Sequence, residues 1–562
     1  MSEQPKNIIL CADGTGNRGG ETPDTNVYRM YQAVDLHQPE RKREQITFYD
    51  NGVGTSSNKY IKAITGGLGF GFRKNVCDLY EFLALNYNHG DLVYLFGFSR
   101  GAATVRAFGG MLQECGLIDR THQTCLTDGK FDYEKFVLQI KKAFQHYKTK
   151  QGQQLKKTIG VKEVRIKFLG IWDTVSALGF PYHRSSDSWA GDLLERPLLV
   201  WLLRAIDEFF DFGPFAHKFY NYTPNEIVDH VYHAIAIDDE RKSFLPRIWD
   251  ETYLKGKISQ VWFAGMHADV GGGYYQTELA YVTMLWMMER AEHHGLDLLE
   301  GALQDAKEKS NIHGKLHNSR EGLKIYYRYA ARDIEELCTR YDEGGDRKIN
   351  GPIQIHQSVI DRMDQATDRY TPGLLPAEFA IVGTHIPEKN NKLVTYGEGS
   401  TVDPHVVDAT ALVESKNEVT DWQQDKKKVK TTVTLRRLLY RIFADYSLLI
   451  ALTVFYLWIR SGRTIDRLIL PFDNTNLWKF GFQSIPCLKD LGEVLQYFLP
   501  RIFDPFIQEF VVHRPLIFVL IIAIFCALII IRTRLKKATV KASVKICEKI
   551  DFKMRSIKQE AV

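Results

Sequence analysis

Paired cysteines are missing from this chain. Its eight cysteines, Cys11, Cys77, Cys115, Cys125, Cys338, Cys487, Cys526 and Cys547, form no C-x-x-C pair and no His-Cys cluster at zinc spacing among 562 residues. Neither a disulfide framework nor a zinc site is expected, and the scatter suits folding in a reducing compartment. An excess of one charge is missing too. Lys and Arg number 73 against 68 Asp and Glu, a net charge of +5. That is too little over this length to draw nucleic acid, and no basic-aromatic recognition motif accompanies it. The opening residues Met1-Ser2-Glu3-Gln4-Pro5-Lys6 lead into a strand-like segment without the apolar run of a signal peptide, so ordinary Sec export of the N-terminal part is not expected. What is present is a chain 44% hydrophobic and 25% charged, long enough for a large core and more than one domain.

Short apolar runs alternate with helical stretches over about the first half of the chain. Asn7–Ala12, Gln45–Tyr49, Leu92–Phe96, Val164–Trp172 and Ser259–Ala264 read as strands of a mainly parallel α/β sheet. Each ends in polar or glycine-rich residues: Asp13-Gly14-Thr15-Gly16-Asn17, Asp50-Asn51-Gly52, Ser99, Asp173-Thr174 and His267-Ala268-Asp269. Ligands of open parallel sheets bind outside the carboxyl ends of the strands, so these termini are expected to converge on one cleft. Gly97-Phe98-Ser99-Arg100-Gly101 stands between a strand and a helix that begins with small residues. A serine hydroxyl attacks only when exposed beside a base, and a G-x-S-x-G turn between strand and helix gives it that exposure. The plain alternative is a strand-to-helix loop that binds nothing.

Ser99 needs a base and an acid, in the order Ser, Asp or Glu, His. His267 follows the last predicted strand and precedes Gly271-Gly272-Gly273. Asp173 lies at a strand end between the two, with helix capping as its plain alternative, and Asp269 is the rival acid. For the developing oxyanion, the N–H of Arg100 and the loop carrying Gly14 and Thr15 are the candidate donors. Asp13 and Asp50 are possible contributors. Asp13-Gly14-Thr15 can also be read as a phosphatase-like aspartate loop, but Cys11 stands where such an enzyme has its first aspartate. No metal or other cofactor is expected.

Six motifs in order carry a family resemblance: Asp13-Gly14-Thr15-Gly16-Asn17 with Thr25-Asn26-Val27, Tyr49-Asp50-Asn51-Gly52-Val53-Gly54-Thr55, the Gly97–Gly101 pentapeptide with Ala102, Trp172-Asp173-Thr174-Val175, Asp239-Glu240-Arg241, and His267-Ala268-Asp269-Val270-Gly271-Gly272-Gly273-Tyr274. Over about residues 5 to 295 the chain resembles the type VI secretion phospholipase effector-like α/β-hydrolase family. The resemblance implies an α/β-hydrolase fold with helical insertions and a Ser-Asp-His hydrolase of glycerophospholipid esters. It implies Ser99 and His267 directly and Asp173 less firmly, because the spacing varies among relatives. A phospholipid membrane, and an immunity or secretion-system protein, are the partners it implies, with delivery by a non-Sec route as one possibility.

Domain organisation follows from changes in composition. A catalytic domain is expected over residues 1–388, with an aromatic-rich insertion or lid at about 180–230. Thr277–Glu292 and Ile325–Tyr341 read as amphipathic helices. A linker over 389–435 leads to a membrane-associated region over 436–535 with candidate spans at 442–459 and 511–531, and a basic helical tail over 536–562. Basic residues flank the pair, from Lys426 to Arg441 and from Arg532 to Lys541, which puts the catalytic domain on the cytoplasmic side. Two functions from different classes fit: a membrane-associated serine esterase of phospholipase A type, or a catalytically silent membrane-anchored module that binds lipid or protein on a hydrolase fold.

Overall fold

A computed structural model describes residues 5–37 except Thr15, 43–52, 71–175, 226–251, 257–320, 329–341, most of 347–393, 406–408, 416–460, 506–507 and 515–560. Five of its strands are the ones legible in the sequence: β1 (Asn7–Ala12), β2 (Gln45–Asp50), β3 (Leu92–Phe98), β4 (Ile166–Trp172) and, after one unforeseen strand β5 (Val228–Ala236), β6 (Ile258–Phe263). Three short strands complete this sheet among the described residues, β7 (Gln354–His356), β8 (Glu378–Val382) and β9 (Val406–Asp408). Among the described residues these make one nine-stranded sheet in the order β9-β8-β7-β6-β5-β4-β3-β1-β2. Every pairing is parallel except that of β8 with β9. The expectation of a mainly parallel α/β sheet is met.

Alternation along the central strands feeds two cores. Ile8 and Leu10 of β1 with Val93 and Leu95 of β3 face one layer, while Ile9 and Cys11 with Tyr94 and Phe96 face the other. Both layers are apolar because helices cover both faces, as a parallel sheet requires. The first layer packs α2 (Phe72–Asn86), α3 (Arg100–Cys115) and α4 (Tyr133–Lys148). The second packs α1 (Asn26–Ala33) and, after the one-turn α5 (His267–Gly271), α6 (Glu278–His293). Thr25 caps α1 by accepting the Tyr28 N–H at 3.2 Å.

Helix expectations were met at α6 but not over Tyr329–Tyr341, the described part of the 325–341 stretch. From Tyr329 that segment forms a bridge to Arg241, has no regular structure through Arg332, and makes only the short α7 (Ile334–Leu337) before a strand at Thr339–Tyr341. Asp333 is the reason: its carboxylate caps α7 at the Glu336 N–H, which starts a helix there and excludes one running through it.

The chain divides into two compact units, one of Met1–Arg184, Phe210–Lys430 and Ala542–Val562, the other of Ser185–Phe209 and Thr431–Lys541. Two long helices, α8 (Lys416–Arg460) and α9 (Pro515–Glu560), belong to the C-terminal part. Within the second unit Tyr446 donates its hydroxyl to the Ile521 carbonyl at 2.9 Å, and Arg532 Nε donates to the Tyr440 hydroxyl at 2.9 Å.

The expected membrane spans are corrected. Among the described residues no helix is long and apolar enough to cross a membrane. The 442–459 stretch is the end of charged α8 and contains Asp445. In α9 the uncharged run Pro515–Ile531 is shorter than the about 20 residues that a span needs, and Arg532 closes it; residues 511–514 lie outside the described residues. The insertion expected as a lid lies outside them as far as residue 225.

Candidate active site

Ser99 sits in the turn from β3 to α3 with φ +58° and ψ −120°, a strained conformation that non-glycine residues seldom adopt and that a G-x-S-x-G elbow requires of its serine. Gly97 makes it possible: a β-carbon there would lie 2.7 Å from the Ala102 α-carbon. The Ser99 N–H donates to the Trp172 carbonyl at 3.0 Å, tying the elbow to the end of β4.

His267 opens α5 just past β6. Its Nε2 lies 2.8 Å from Ser99 Oγ, and its Nδ1 lies 2.5 Å from Asp173 Oδ2. An ionised Asp173 only accepts, so Nδ1 carries the proton and Nε2 is left to accept from the serine. The ring is held between Phe98, centroids 4.6 Å apart, and the edge of Phe244 at 4.9 Å. Asp239 Oδ2 accepts the His267 N–H at 3.3 Å. Burial lowers the His267 pKa, and the hydrogen bond and charge of Asp173 only partly oppose it.

Asp173 follows β4 with φ +38° and is completely buried. Its carboxylate takes four donors: His267 Nδ1 and Arg332 Nη2 (2.8 Å) on Oδ2, Arg332 Nη1 (2.6 Å) and the Ala236 N–H (3.0 Å) on Oδ1. Burial by itself would raise its pKa. The Arg332 charge, with the His267 and Arg332 hydrogen bonds, outweighs burial and holds the carboxyl well below the usual range. Behind it the Thr174 N–H donates to His233 Nε2 at 3.2 Å. Burial first, then the Arg106 charge, bring His233 down to about 3, so that ring is a neutral structural support.

The remaining candidates divide. Asp269, the rival acid, does not face His267: Oδ1 pairs with His317 Nδ1 at 2.6 Å, and Oδ2 accepts the N–H groups of Met266 (2.9 Å) and His317 (3.1 Å). Asp13 organises the first loop, accepting from Thr25 Oγ1 and the Tyr49 hydroxyl, each at 2.6 Å, from Asn17 Nδ2 at 3.3 Å and from the Gly14 N–H at 2.5 Å. Burial raises the Asp13 pKa against these four hydrogen bonds. The Gly14 N–H, expected to face an oxyanion, is thus engaged by Asp13. Gly14 itself is pressed against the elbow, since a β-carbon on it would stand 3.2 Å from that of Ser99. Thr15 lies outside the described residues. Asp50 ends β2, with its pKa raised to about 7, first by burial and then by Asp78. Arg100, whose N–H is the other expected donor, is the first residue of α3.

Three residues without an assigned role in the sequence, Asp239, Arg241 and Arg332, complete the constellation. Asp239 forms a buried fork with Arg241, whose Nη2 donates to Oδ2 at 2.6 Å and Nε to Oδ1 at 3.0 Å. Burial works to raise the Asp239 pKa, and the Arg241 charge overrides it. Asp239 and Arg241 stand in one of the six motifs, but Arg332 stands in none. Among the described residues no group of three or more His, Cys, Asp and Glu side chains is placed to hold a metal ion.

Comparison with known proteins gives relatives of two kinds. The chain is similar to the uncharacterized protein YEL023C of Saccharomyces cerevisiae, 27% identical over 276 residues, which are 45% of this chain and 35% of that one. This chain thus spans about a third of the length of that relative. Among solved structures it is similar to an uncharacterized protein from Pseudomonas aeruginosa, at 18% identity and TM-score 0.30, covering 57% of this chain and 50% of the other. It is also similar to the Tle1 effector solved bound to the VgrG spike of the type 6 secretion system, at 14% identity and TM-score 0.30, covering 62% and 88%. Residues 6–290 match the catalytic-domain profile of the Tle1-like phospholipase effectors of the type VI secretion system, and the chain belongs to that family.

Proposed function

We propose that the chain is a serine hydrolase that cleaves carboxylic ester bonds of glycerophospholipids, a phospholipase of A type. The observation that carries this reading is the unbroken line from Ser99 Oγ to His267 Nε2 at 2.8 Å and from His267 Nδ1 to Asp173 Oδ2 at 2.5 Å. Family membership supplies the lipid class. In this reading His267 takes the Ser99 proton as Oγ attacks the acyl carbonyl, and Asp173 stabilises the imidazolium that forms. The Arg100 N–H, at the first turn of α3, faces the oxyanion that develops on the carbonyl oxygen, aided by the helix N-terminus. His267 then gives its proton to the leaving lysolipid alcohol. Water, deprotonated by the same imidazole, releases the fatty acid from the acyl-enzyme and restores Ser99. The substrate surface is a phospholipid bilayer, and the family points to a secretion-system component as carrier and to export by a non-Sec route.

The test is fluorophosphonate labelling of the full chain, with phospholipid turnover followed by mass spectrometry. Labelling that is lost in Ser99→Ala and His267→Ala, with release of fatty acid and lysolipid, is the expected result. Labelling without lipid turnover would assign another ester substrate. A folded wild-type protein that does not label would replace this reading with a binding module.

A further inference from the structure

Arg332 lies beyond the family-matched residues 6–290, yet its guanidinium meets the Asp173 carboxylate as a two-pronged fork, Nη1 to Oδ1 at 2.6 Å and Nη2 to Oδ2 at 2.8 Å. Both side chains are 0% exposed, so solvent and salt screen the pair weakly. Planar bidentate contact fixes a carboxylate in orientation as well as position. The same guanidinium donates to the Ala236 carbonyl at 2.5 Å and to the Phe244 carbonyl. It therefore ties together the end of β5, the Asp173 turn and the segment whose Phe244 ring abuts His267. The segment carrying it is itself anchored, through the Arg241–Tyr329 bridge and the Ala330 N–H to the Glu240 carbonyl at 2.8 Å. Just past it, Asp333 pairs with Lys430 at 2.8 Å and Glu335 pairs with Lys426, both lysines on α8.

We infer that Arg332 is a positioning residue of the triad: its fork sets the plane of the Asp173 carboxylate, and its charge offsets the pull of that carboxylate on the His267 proton. The neighbouring charges leave this task to Arg332. Asp239 is paired with Arg241, Asp269 with His317, and Asp238 is engaged by the Gly265 N–H at 2.7 Å and the Tyr370 hydroxyl at 2.9 Å. Arg106 stacks on Trp249, 3.9 Å from its ring centre. His233 lies on the far side of Thr174. With Arg332 in place the guanidinium offsets part of the carboxylate charge beside the imidazole. Without it, a buried unpaired carboxylate would favour the imidazolium, and His267 would hold its proton to higher pH.

The inference rests on the triad reading above, and one experiment separates the two. Fluorophosphonate labelling rates of the full chain are measured from about pH 5 to about pH 9 for wild type, Arg332→Lys and Arg332→Met, each checked for fold by near-ultraviolet circular dichroism. Lysine keeps the charge but not the fork. The plateau rate is expected to fall about 100-fold, the size of effect that small misplacement of a catalytic group produces, with the acid limb of the profile unmoved. Methionine removes both, so the plateau falls at least as far and the acid limb moves to higher pH. A structural tie alone would lower stability and leave the acid limb in place. Wild-type plateau labelling by Arg332→Lys overturns the fork, and a folded Arg332→Met with an unmoved limb overturns the charge effect. Should Arg332→Met not fold, the plateau of Arg332→Lys decides. A wild type that does not label removes the triad reading, and this inference with it.

Discussion

The carbonyl oxygen of Ala12 occupies the space that a side chain on Gly101 would need: a β-carbon built on Gly101 would stand 2.1 Å from that oxygen. The first turn of α3 therefore lies directly on the end of β1, and the elbow and the Asp13 loop are held against each other by backbone. Alanine is the better helix former by about 1 kcal/mol, but backbone cannot retreat as a flexible side chain would, and overpacking costs about 1–3 kcal/mol or more. Gly101→Ala is expected to lower the Tm and the fluorophosphonate labelling rate together. Thermal unfolding checks it, and a raised Tm would show that β1 and α3 can part without cost.

The two aspartates that flank the histidine in the sequence reading have separate partners in the structure. Asp173 meets His267, and Asp269 meets His317. Replacing the aspartate of such a triad by asparagine leaves the imidazole in the wrong tautomer, a loss on the order of 10,000-fold in kcat. Asp173→Asn is expected to show a loss of that order. Asp269→Asn acts only through the Met266 and His317 contacts and is expected to lose less than about tenfold, a lost hydrogen bond being worth about 1 kcal/mol. Ester turnover by the two variants decides; the reverse ranking would make Asp269 the acid.

How much of this was legible differs from element to element. β1, β2, β3, β4 and β6 are apolar runs with a polar or glycine-rich end, and that pattern is local. β5 escaped because two adjacent polar residues, the half-buried Asp229 and His230, interrupt the apolar pattern between Val228 and Val231, and because it follows an aromatic-rich stretch that resembles a lid. β7, β8 and β9 are three to five residues long, too short to show a period. Ser99 and His267 announced themselves through the glycines around them. Arg332 could not, since its role depends on a carboxylate 159 positions away and its own surroundings, Ala330-Ala331-Arg332-Asp333, carry no motif.

In the proposed reaction, the direction of the His267 shift sets the acid limb. Burial lowers its pKa below the ordinary 6.5, and a general base works when neutral. The expected profile of kcat/KM is flat above 6.5 and falls only below it, as the imidazole takes up a proton. Measuring kcat/KM for a soluble ester across this range checks the sign. A limb above 6.5 would mean that the carboxylate, and not burial, governs the base.

The contribution of Asp238 to stability runs the opposite way. Burial raises its pKa from 3.8 to about 7, against the hydrogen bonds from the Gly265 N–H and the Tyr370 hydroxyl. The folded state thus holds a proton that the unfolded chain releases above 3.8. This group therefore favours folding fully at pH below 3.8 and loses that contribution as pH rises from there to about 7. Asp50, raised to about 7, and Glu251, raised to about 8, act in the same sense, while Asp173 and Asp239, both lowered, contribute stability that is lost only at pH below 3.8. These raised carboxyls weaken the fold as the pH rises toward about 8, whereas His233 and His356, each lowered from 6.5 to about 3, first by burial, weaken it as the pH falls below 6.5. Asn at position 238 can still accept from Gly265 but has no proton to lose, so Asp238→Asn should raise the Tm at the alkaline end, and the gain should shrink as the pH falls toward 4. Thermal unfolding of both proteins across the pH range measures this directly. An Asp238→Asn chain that is less stable than wild type even at the alkaline end would show that Asp238 is folded as the charged carboxylate, held by its two donors in spite of its burial.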